Sequence, residues 1–132
     1  MRIAAVDYGL KRIGLAISDE SHKIAFPLKT VASLKEAVAL LRTRMPLSLI
    51  VIGLPLTLKG AKSEMARHVE SFAAELSKTL NVPIHFLDER LSSKQVERDL
   101  SHLSRRDRAS HSDTAAATLL LQTYLDQKSV SS

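Results

Sequence analysis

The sequence predicts a single α/β domain in which helices cover both faces of a mixed five-stranded sheet. Two short apolar runs joined by a turn-length connection open the chain, a pattern typical of an antiparallel hairpin. Later apolar runs are short and continuous and follow helical segments, as expected of parallel strands buried on both faces. The length of 132 residues is enough for one domain with its own core. We assign residues 1–127 to this domain and expect a disordered tail over 128–132.

The first three strands are expected to be antiparallel. Residues 2–8 and 13–19 are rich in Ile, Val, Ala and Leu, and a four-residue turn that begins at Gly9 separates them. A third strand is predicted over 24–31. Because proline cannot donate a ladder hydrogen bond, Pro27 indicates that this strand lies at an edge or contains a bulge.

From residue 33 the apolar period changes from that of a strand to that of a helix. Ser33-x-x-Glu36 has the capping-box spacing, and Pro46 is expected to end the helix that it starts. A buried strand follows over 49–53. A helix is then predicted over 63–80, a strand over 83–87 and another helix from 92. A loop over 101–110 leads to the last helix, which is predicted to start at 110.

This order of elements is that of the ribonuclease H-like architecture. Right-handed crossovers place the fourth and fifth strands parallel to the first strand and on one side of it. The carboxyl ends of these three strands then share one edge of the sheet. In open α/β sheets that edge is where ligands bind.

Composition narrows the possible function classes. The chain has no cysteine, which excludes disulfides, thiol nucleophiles and cysteine-ligated zinc, and which fits a reducing cytosol. No apolar run approaches the length of a membrane span, and the first residues do not resemble a signal peptide. The phosphate loop of NTPases and the nucleophile elbow of serine hydrolases are also absent from the sequence. A net charge of +5 favours a polyanionic partner.

Carboxylates occur where this topology would bring them together. Asp7 ends the first strand, Asp88 and Glu89 follow the fifth, and Asp113 is expected in the first turn of the last helix. Each also has a purely structural interpretation. Asp7 could shape the turn and Asp88 could cap a loop. Glu89 could form a simple ion pair, and Asp113 could interact favourably with the helix dipole. Clustered carboxylates repel unless a cation lies among them, and Mg²⁺ prefers oxygen ligands. The set therefore favours metal-dependent hydrolysis of phosphodiesters.

Four blocks of the chain resemble the YqgF proteins, which are also known as the RuvX type of Holliday junction resolvase. They are VDYGLKRIGLA from Val6, IGLPL from Ile52, DERLSS from Asp88, and the last helix from Asp113 to Leu125. Together they extend over about residues 2–126. Four ordered blocks in one domain are a far more specific signal than any single motif.

The resemblance implies a ribonuclease H-like fold, a relationship to the junction resolvase RuvC and a cytoplasmic location. It also implies a nuclease that matures the 5′ end of pre-16S ribosomal RNA with Mg²⁺ or Mn²⁺ as cofactor. Carried over by position, Asp7, Glu89 and Asp113 are the catalytic, metal-binding acids. Asp88 remains the alternative to Glu89.

Two positions depart from the pattern of the relatives. Many ribonuclease H-like nucleases have an acid at the end of the fourth strand, where this chain reads Gly53-Leu54-Pro55. The acid must then come from the fifth strand, about 4.8 Å further out, and we prefer Glu89 because its side chain is longer. Relatives often carry Asp-Gly after the fourth strand, where this chain has Lys59-Gly60.

Basic residues near these acids are candidate phosphate contacts. They are Lys11, Arg12, Lys59, Arg90, Arg105, Arg106 and Arg108, the last three in the loop expected before the last helix. The few aromatic residues argue against recognition of single strands by base stacking.

Three functions are weighed. The first is a metal-dependent endonuclease acting on pre-16S rRNA, or on branched DNA as a Holliday junction resolvase. The second is a non-catalytic nucleic-acid-binding module for the assembly of ribosomal particles. The third is phosphotransfer of the actin-like kinase type, ranked last because those enzymes need two such domains. No membrane partner is expected, and the sequence leaves monomer and homodimer open.

Overall fold

A computed structural model describes the chain over residues 1–56, 63–89 and 105–131, with backbone alone over 105–113 and 129–131. Five strands and three helices lie in these ranges. In chain order they are β1 (Arg2–Tyr8), β2 (Ile13–Ser18), β3 (Ala25–Val31), α1 (Leu34–Arg42), β4 (Leu47–Leu54), α2 (Glu64–Leu80), β5 (Ile84–Asp88) and α3 (Arg105–Ser131). No helix in the described ranges is long and apolar enough to cross a membrane.

The five strands form one mixed sheet in the order β3-β2-β1-β4-β5. β1 pairs antiparallel with β2, and β2 pairs antiparallel with β3. β4 is parallel to β1, and β5 is parallel to β4. This confirms the predicted topology, in which the carboxyl ends of β1, β4 and β5 share one edge of the sheet.

The edge strand β3 explains the position of its proline. Pro27 pairs with Ala16 where the register between β2 and β3 shifts, so the missing N–H falls at an irregularity of the ladder. The prediction that Pro27 marks an edge or a bulge is confirmed on both counts.

α1 begins at its predicted cap. The backbone N–H of Glu36 donates to Ser33 Oγ at 3.2 Å. The carboxylate of Glu36 reaches back to the N–H of Ala32, at 2.8 Å, one residue before the cap position where a standard capping box would bond. The helix ends at Arg42, with Thr43 as its C-cap, and so stops before the expected boundary at Pro46.

α2 also has well-defined ends. The N–H of Ala66 donates to Ser63 Oγ at 3.2 Å. At the other end Asn81 adopts the left-handed conformation, with φ of 56°, and its N–H donates to the Ser77 carbonyl. The 3,4 spacing of its apolar residues places one face of the helix on the sheet.

The sheet separates two apolar cores. On one side, here called the α1/α2 face, Ala4 and Val6 of β1 pack with residues of both these helices. On the other side, called the α3 face, Ile3 and Ala5 pack with the last helix. Neighbouring residues of β1 thus alternate between the two cores, as a strand covered on both faces requires. The α3 residues of the second core are Ala117, Leu120, Leu121 and Leu125.

α3 corrects two expectations. It begins at Arg105, so residues 105–110 are helical where the sequence was interpreted as a loop, and Asp113 lies about two turns inside the helix. The stretch is polar but contains no Gly or Pro, and arginine and alanine are good helix formers. The helix also continues through Ser131, where a disordered tail was expected from 128. The helix predicted to start at 92 lies outside the described residues.

Candidate metal-binding and catalytic site

The candidate site lies at the carboxyl edge of the three parallel strands. Asp7 is the next-to-last residue of β1, Gly53 the next-to-last residue of β4, and Glu89 follows directly after β5. β4 lies between β1 and β5 in the sheet, so a carboxylate that follows β5 can approach one on β1 only over the end of β4.

Asp7 is partly buried and belongs to the α3 face. Ala5, two residues earlier, packs in the α3 core, and side chains two apart on a strand share a face. The register pairs Val6 with Ile52, so Asp7 and Gly53 come next along their strands. Paired residues of parallel strands point to the same face, and Gly53 is therefore the immediate neighbour of Asp7 on this side of the sheet.

Asp88, the last residue of β5, and Glu89, which follows it, lie on opposite faces of the sheet. Leu87 packs in the α3 core, so Asp88 points to the opposite face, and its register partner Leu54 packs against the α1/α2 core. Glu89 returns to the α3 face. The structure thus brings Glu89 to the side on which Asp7 lies and directs Asp88 away from it.

The side chain of Glu89 lies over Gly53. A Cβ built on Gly53 would be 2.7 Å from Glu89 Cγ, 2.8 Å from its Oε1 and 3.2 Å from its Cδ. The carboxylate of Glu89 therefore extends from the end of β5 across the end of β4, in the direction of β1. The glutamate side chain is one methylene group longer than that of aspartate, and this extra length helps it to reach over β4.

α3 covers the face on which these carboxylates lie. Position 113 is four residues before Ala117 and seven before Leu120, both of which pack in the α3 core. The side chain of Asp113 itself is outside the described part of the structure.

The carboxylates suit a hard divalent ion in their chemistry. Asp7 and Glu89 supply oxygen donors of the type that Mg²⁺ and Mn²⁺ take, and a glycine stands where a side chain would block one of them. Among the side chains that the structure describes, no three His, Asp or Glu groups are placed to hold a metal ion. Two carboxylates from the described residues and one from position 113 make up the proposed ligand set.

Two of the basic candidates lie beside the site. Lys11 and Arg12 are exposed in the turn between β1 and β2, directly beyond Asp7. Gly9 makes this turn tight, since a Cβ there would lie 2.7 Å from the carbonyl oxygen of Arg12. Of the other candidates, Lys59 and Arg90 fall outside the described residues. Arg105, Arg106 and Arg108 belong to the first turns of α3, where only the backbone is described.

Gly53 is a position of the candidate site that sequence reasoning missed. The sequence shows that this position lacks a carboxylate, but not the room that the missing side chain leaves for Glu89. The available signal was a glycine near the end of a strand otherwise made of Leu, Ile and Val, because such a glycine often marks a close approach by another group.

A profile of the RuvX family, described as Holliday junction resolvase, matches residues 1–127. The chain belongs to the RuvX family. A relative from Maridesulfovibrio salexigens is 39% identical over 133 residues, which cover 95% of this chain and 98% of the relative. Another relative, from Rickettsia felis, is 35% identical over 131 residues, which cover 94% of this chain and 85% of the relative. Both bear the name "Putative pre-16S rRNA nuclease".

Solved structures of resolvases share the fold of this RuvX-family chain. Thermus thermophilus RuvC, in complex with a Holliday junction substrate, superposes with a TM-score of 0.54 at 14% identity, covering 97% of this chain and 96% of RuvC. The fowlpox virus resolvase, in complex with Holliday junction DNA, superposes with a TM-score of 0.57 at 16% identity, covering 97% of this chain and 99% of the resolvase. These likenesses confirm the predicted ribonuclease H-like fold.

Proposed function

We propose that this chain is a Mg²⁺- or Mn²⁺-dependent endonuclease that processes the 5′ end of pre-16S rRNA in the cytoplasm. The proposal of a catalytic site rests on the position of the Glu89 side chain. The Glu89 side chain crosses Gly53 on the face of the sheet to which Asp7 also belongs. Two carboxylates at neighbouring strand ends on one face of the sheet are oxygen donors of the kind a hard divalent ion takes, so the arrangement supports a metal site.

Asp7, Glu89 and Asp113 are proposed to hold the metal ions. Bound there, a divalent ion would supply Lewis acidity and an activated water for phosphodiester hydrolysis. These carboxylates would hold the ion near the turn between β1 and β2. Lys11 and Arg12 in that turn then contact substrate phosphates next to the scissile one, which aligns the backbone and neutralises charge.

Support for RNA as the substrate comes from the relatives. Relatives that match over 85–98% of their length carry the pre-16S rRNA name, at 34–39% identity. The resolvases with DNA substrates share the fold at 14–16% identity, too distant to transfer a substrate. A resolvase also needs two active sites and hence a dimer, whereas one site suffices for an RNA processor, so the proposal requires no more than a monomer.

The decisive experiment compares cleavage by four proteins, which are the wild type, Asp7→Asn, Glu89→Gln and Asp88→Asn. The substrates are an end-labelled transcript that spans the 5′ end of mature 16S rRNA and a four-way DNA junction. Each is tested with Mg²⁺, with Mn²⁺ and with EDTA. The substitutions keep the side-chain shape and remove the charge, so they test the carboxylate and leave the packing intact.

We expect the transcript to be cut in the presence of metal, and the rate to fall by at least about 10²-fold in Asp7→Asn and Glu89→Gln. Asp88→Asn, on the opposite face, should stay within a few fold of the wild type. Loss of activity in Asp88→Asn with retention in Glu89→Gln would refute the assignment of the second acid. Preferential cutting of the junction would favour the resolvase alternative. Tight, salt-sensitive binding by all four proteins without cleavage would favour the assembly module.

A further inference from the structure

Gly53 stands at a position where the backbone alone does not require glycine. It lies inside β4 (Leu47–Leu54), in line with a run of branched apolar residues. Its φ is outside the left-handed range that only glycine adopts readily. Glycine weakens a strand interior, where β-branched residues are preferred, so a reason outside the backbone is needed.

The space above Gly53 supplies that reason. The first contact of an added Cβ is with Glu89 Cγ at 2.7 Å, and all three nearest atoms belong to the Glu89 side chain. Carbon atoms in contact lie about 3.5–4.0 Å apart, so one methyl group at this position would displace the Glu89 side chain by about 1 Å. The obstruction involves the movable part of a side chain and not the backbone. The sheet can therefore accept the methyl group, while the carboxylate has to leave its place.

We propose that Gly53 is a positioning residue, which keeps the end of β4 free of side-chain atoms so that the Glu89 carboxylate can cross it to the metal site. The inference rests on the proposed role of Glu89 as a metal ligand. Gly53 contacts neither metal nor substrate in this scheme. It acts through Glu89 alone, and that restriction makes the proposal testable.

The test is a double-mutant cycle of metal affinity. Gly53→Ala, Glu89→Ala and the double variant are compared with the wild type, with Mn²⁺ and then Mg²⁺ titrated into each metal-free protein in a calorimeter. Ser48→Thr is the matched control, because it adds the same single methyl group to β4 about 17 Å away, five residues before Gly53. Thermal unfolding of the metal-free proteins shows that each is folded.

We expect Gly53→Ala to weaken metal binding by about 10- to 100-fold, as displacement of a metal ligand by its neighbour does. In the Glu89→Ala background the same change should have no further effect. Ser48→Thr should bind like the wild type. With the transcript as substrate, kcat should fall by about 10²-fold in Gly53→Ala while KM changes little, since Lys11 and Arg12 are untouched.

Two results would overturn the inference. Wild-type metal affinity in Gly53→Ala, with affinity lost in Glu89→Ala, would show that Glu89 does not need the space. An equal loss in both backgrounds would show that the methyl group distorts β4 itself. Failure of the proposed function has a different signature, because Glu89→Ala would then retain the wild-type affinity.

Discussion

Ser18 completes the hydrogen bonding at the start of β1, and its substitution tests how that end of the strand is held. The pairing of β1 with β2 runs from Tyr8 and Ile13 to Ala4 and Ile17. The next N–H along β1, that of Ile3, donates to Ser18 Oγ at 2.9 Å instead. Both residues are about 1% exposed, so water does not reach this donor. In Ser18→Ala the Ile3 N–H loses its partner inside the core.

The expected loss follows from the cost of a buried donor without an acceptor, about 1–3 kcal/mol. Unfolding entropy near the midpoint is about 2.1 cal/mol/K per residue, which gives about 0.28 kcal/mol/K for 132 residues. The ratio predicts that Ser18→Ala unfolds about 4–11 °C below the wild type. A further loss from the small void is expected to be minor, since only one oxygen atom is removed.

Thermal unfolding followed by circular dichroism, with urea titration as a second measure, checks this value. Ser48→Ala is the matched control. Its hydroxyl donates to the Arg2 carbonyl over a longer distance, 3.3 Å, at a partly buried site where water can take over. We expect the control to shift by less than about 2 °C, as for most substitutions of a partly exposed residue. Equal melting temperatures for Ser18→Ala and the control would refute the reasoning.

Three further predictions concern the turns and α3. Gly9→Ala should destabilise the fold by about 1–3 kcal/mol in urea titrations, because the added methyl group meets the backbone oxygen of Arg12 at 2.7 Å and cannot swing away. Gln122→Ala should speed amide exchange at the start of β3, since the Gln122 side chain accepts the first N–H of that strand at 2.9 Å; unchanged exchange would contradict this. Hydrogen bonds from the N–H of Ile24 and then from a serine hydroxyl hold the pKa of Asp19 well below its usual range. A depressed pKa adds stability above the unfolded pKa of about 3.9 that is lost as pH falls through the folded value. The melting temperature should therefore drop more steeply below pH 4 in the wild type than in Asp19→Asn.

Much of the fold follows from local signals. The cap at Ser33, the apolar stripe of α2 and the continuous apolar β4 predict their elements to within a few residues. These signals depend on neighbours in the chain, and short-range physics is enough to interpret them. The start of α3 was misplaced because a polar, Arg-rich stretch without Gly or Pro is compatible with both helix and loop. Residues inside so long a helix give no local signal of where its first turn lies.

The sequence by itself placed Asp7 at a strand end and two acids, Asp88 and Glu89, after another strand, and it favoured Glu89 for its length. It could not determine which face of the sheet each acid occupies. That choice depends on the register of β5 against β4, where a shift of one residue exchanges the two faces of the strand. Only the tertiary structure placed Leu87 in the α3 core, and with it Glu89 over Gly53. The space that the missing side chain leaves is a property of two strands packed side by side, which no single segment of the sequence contains.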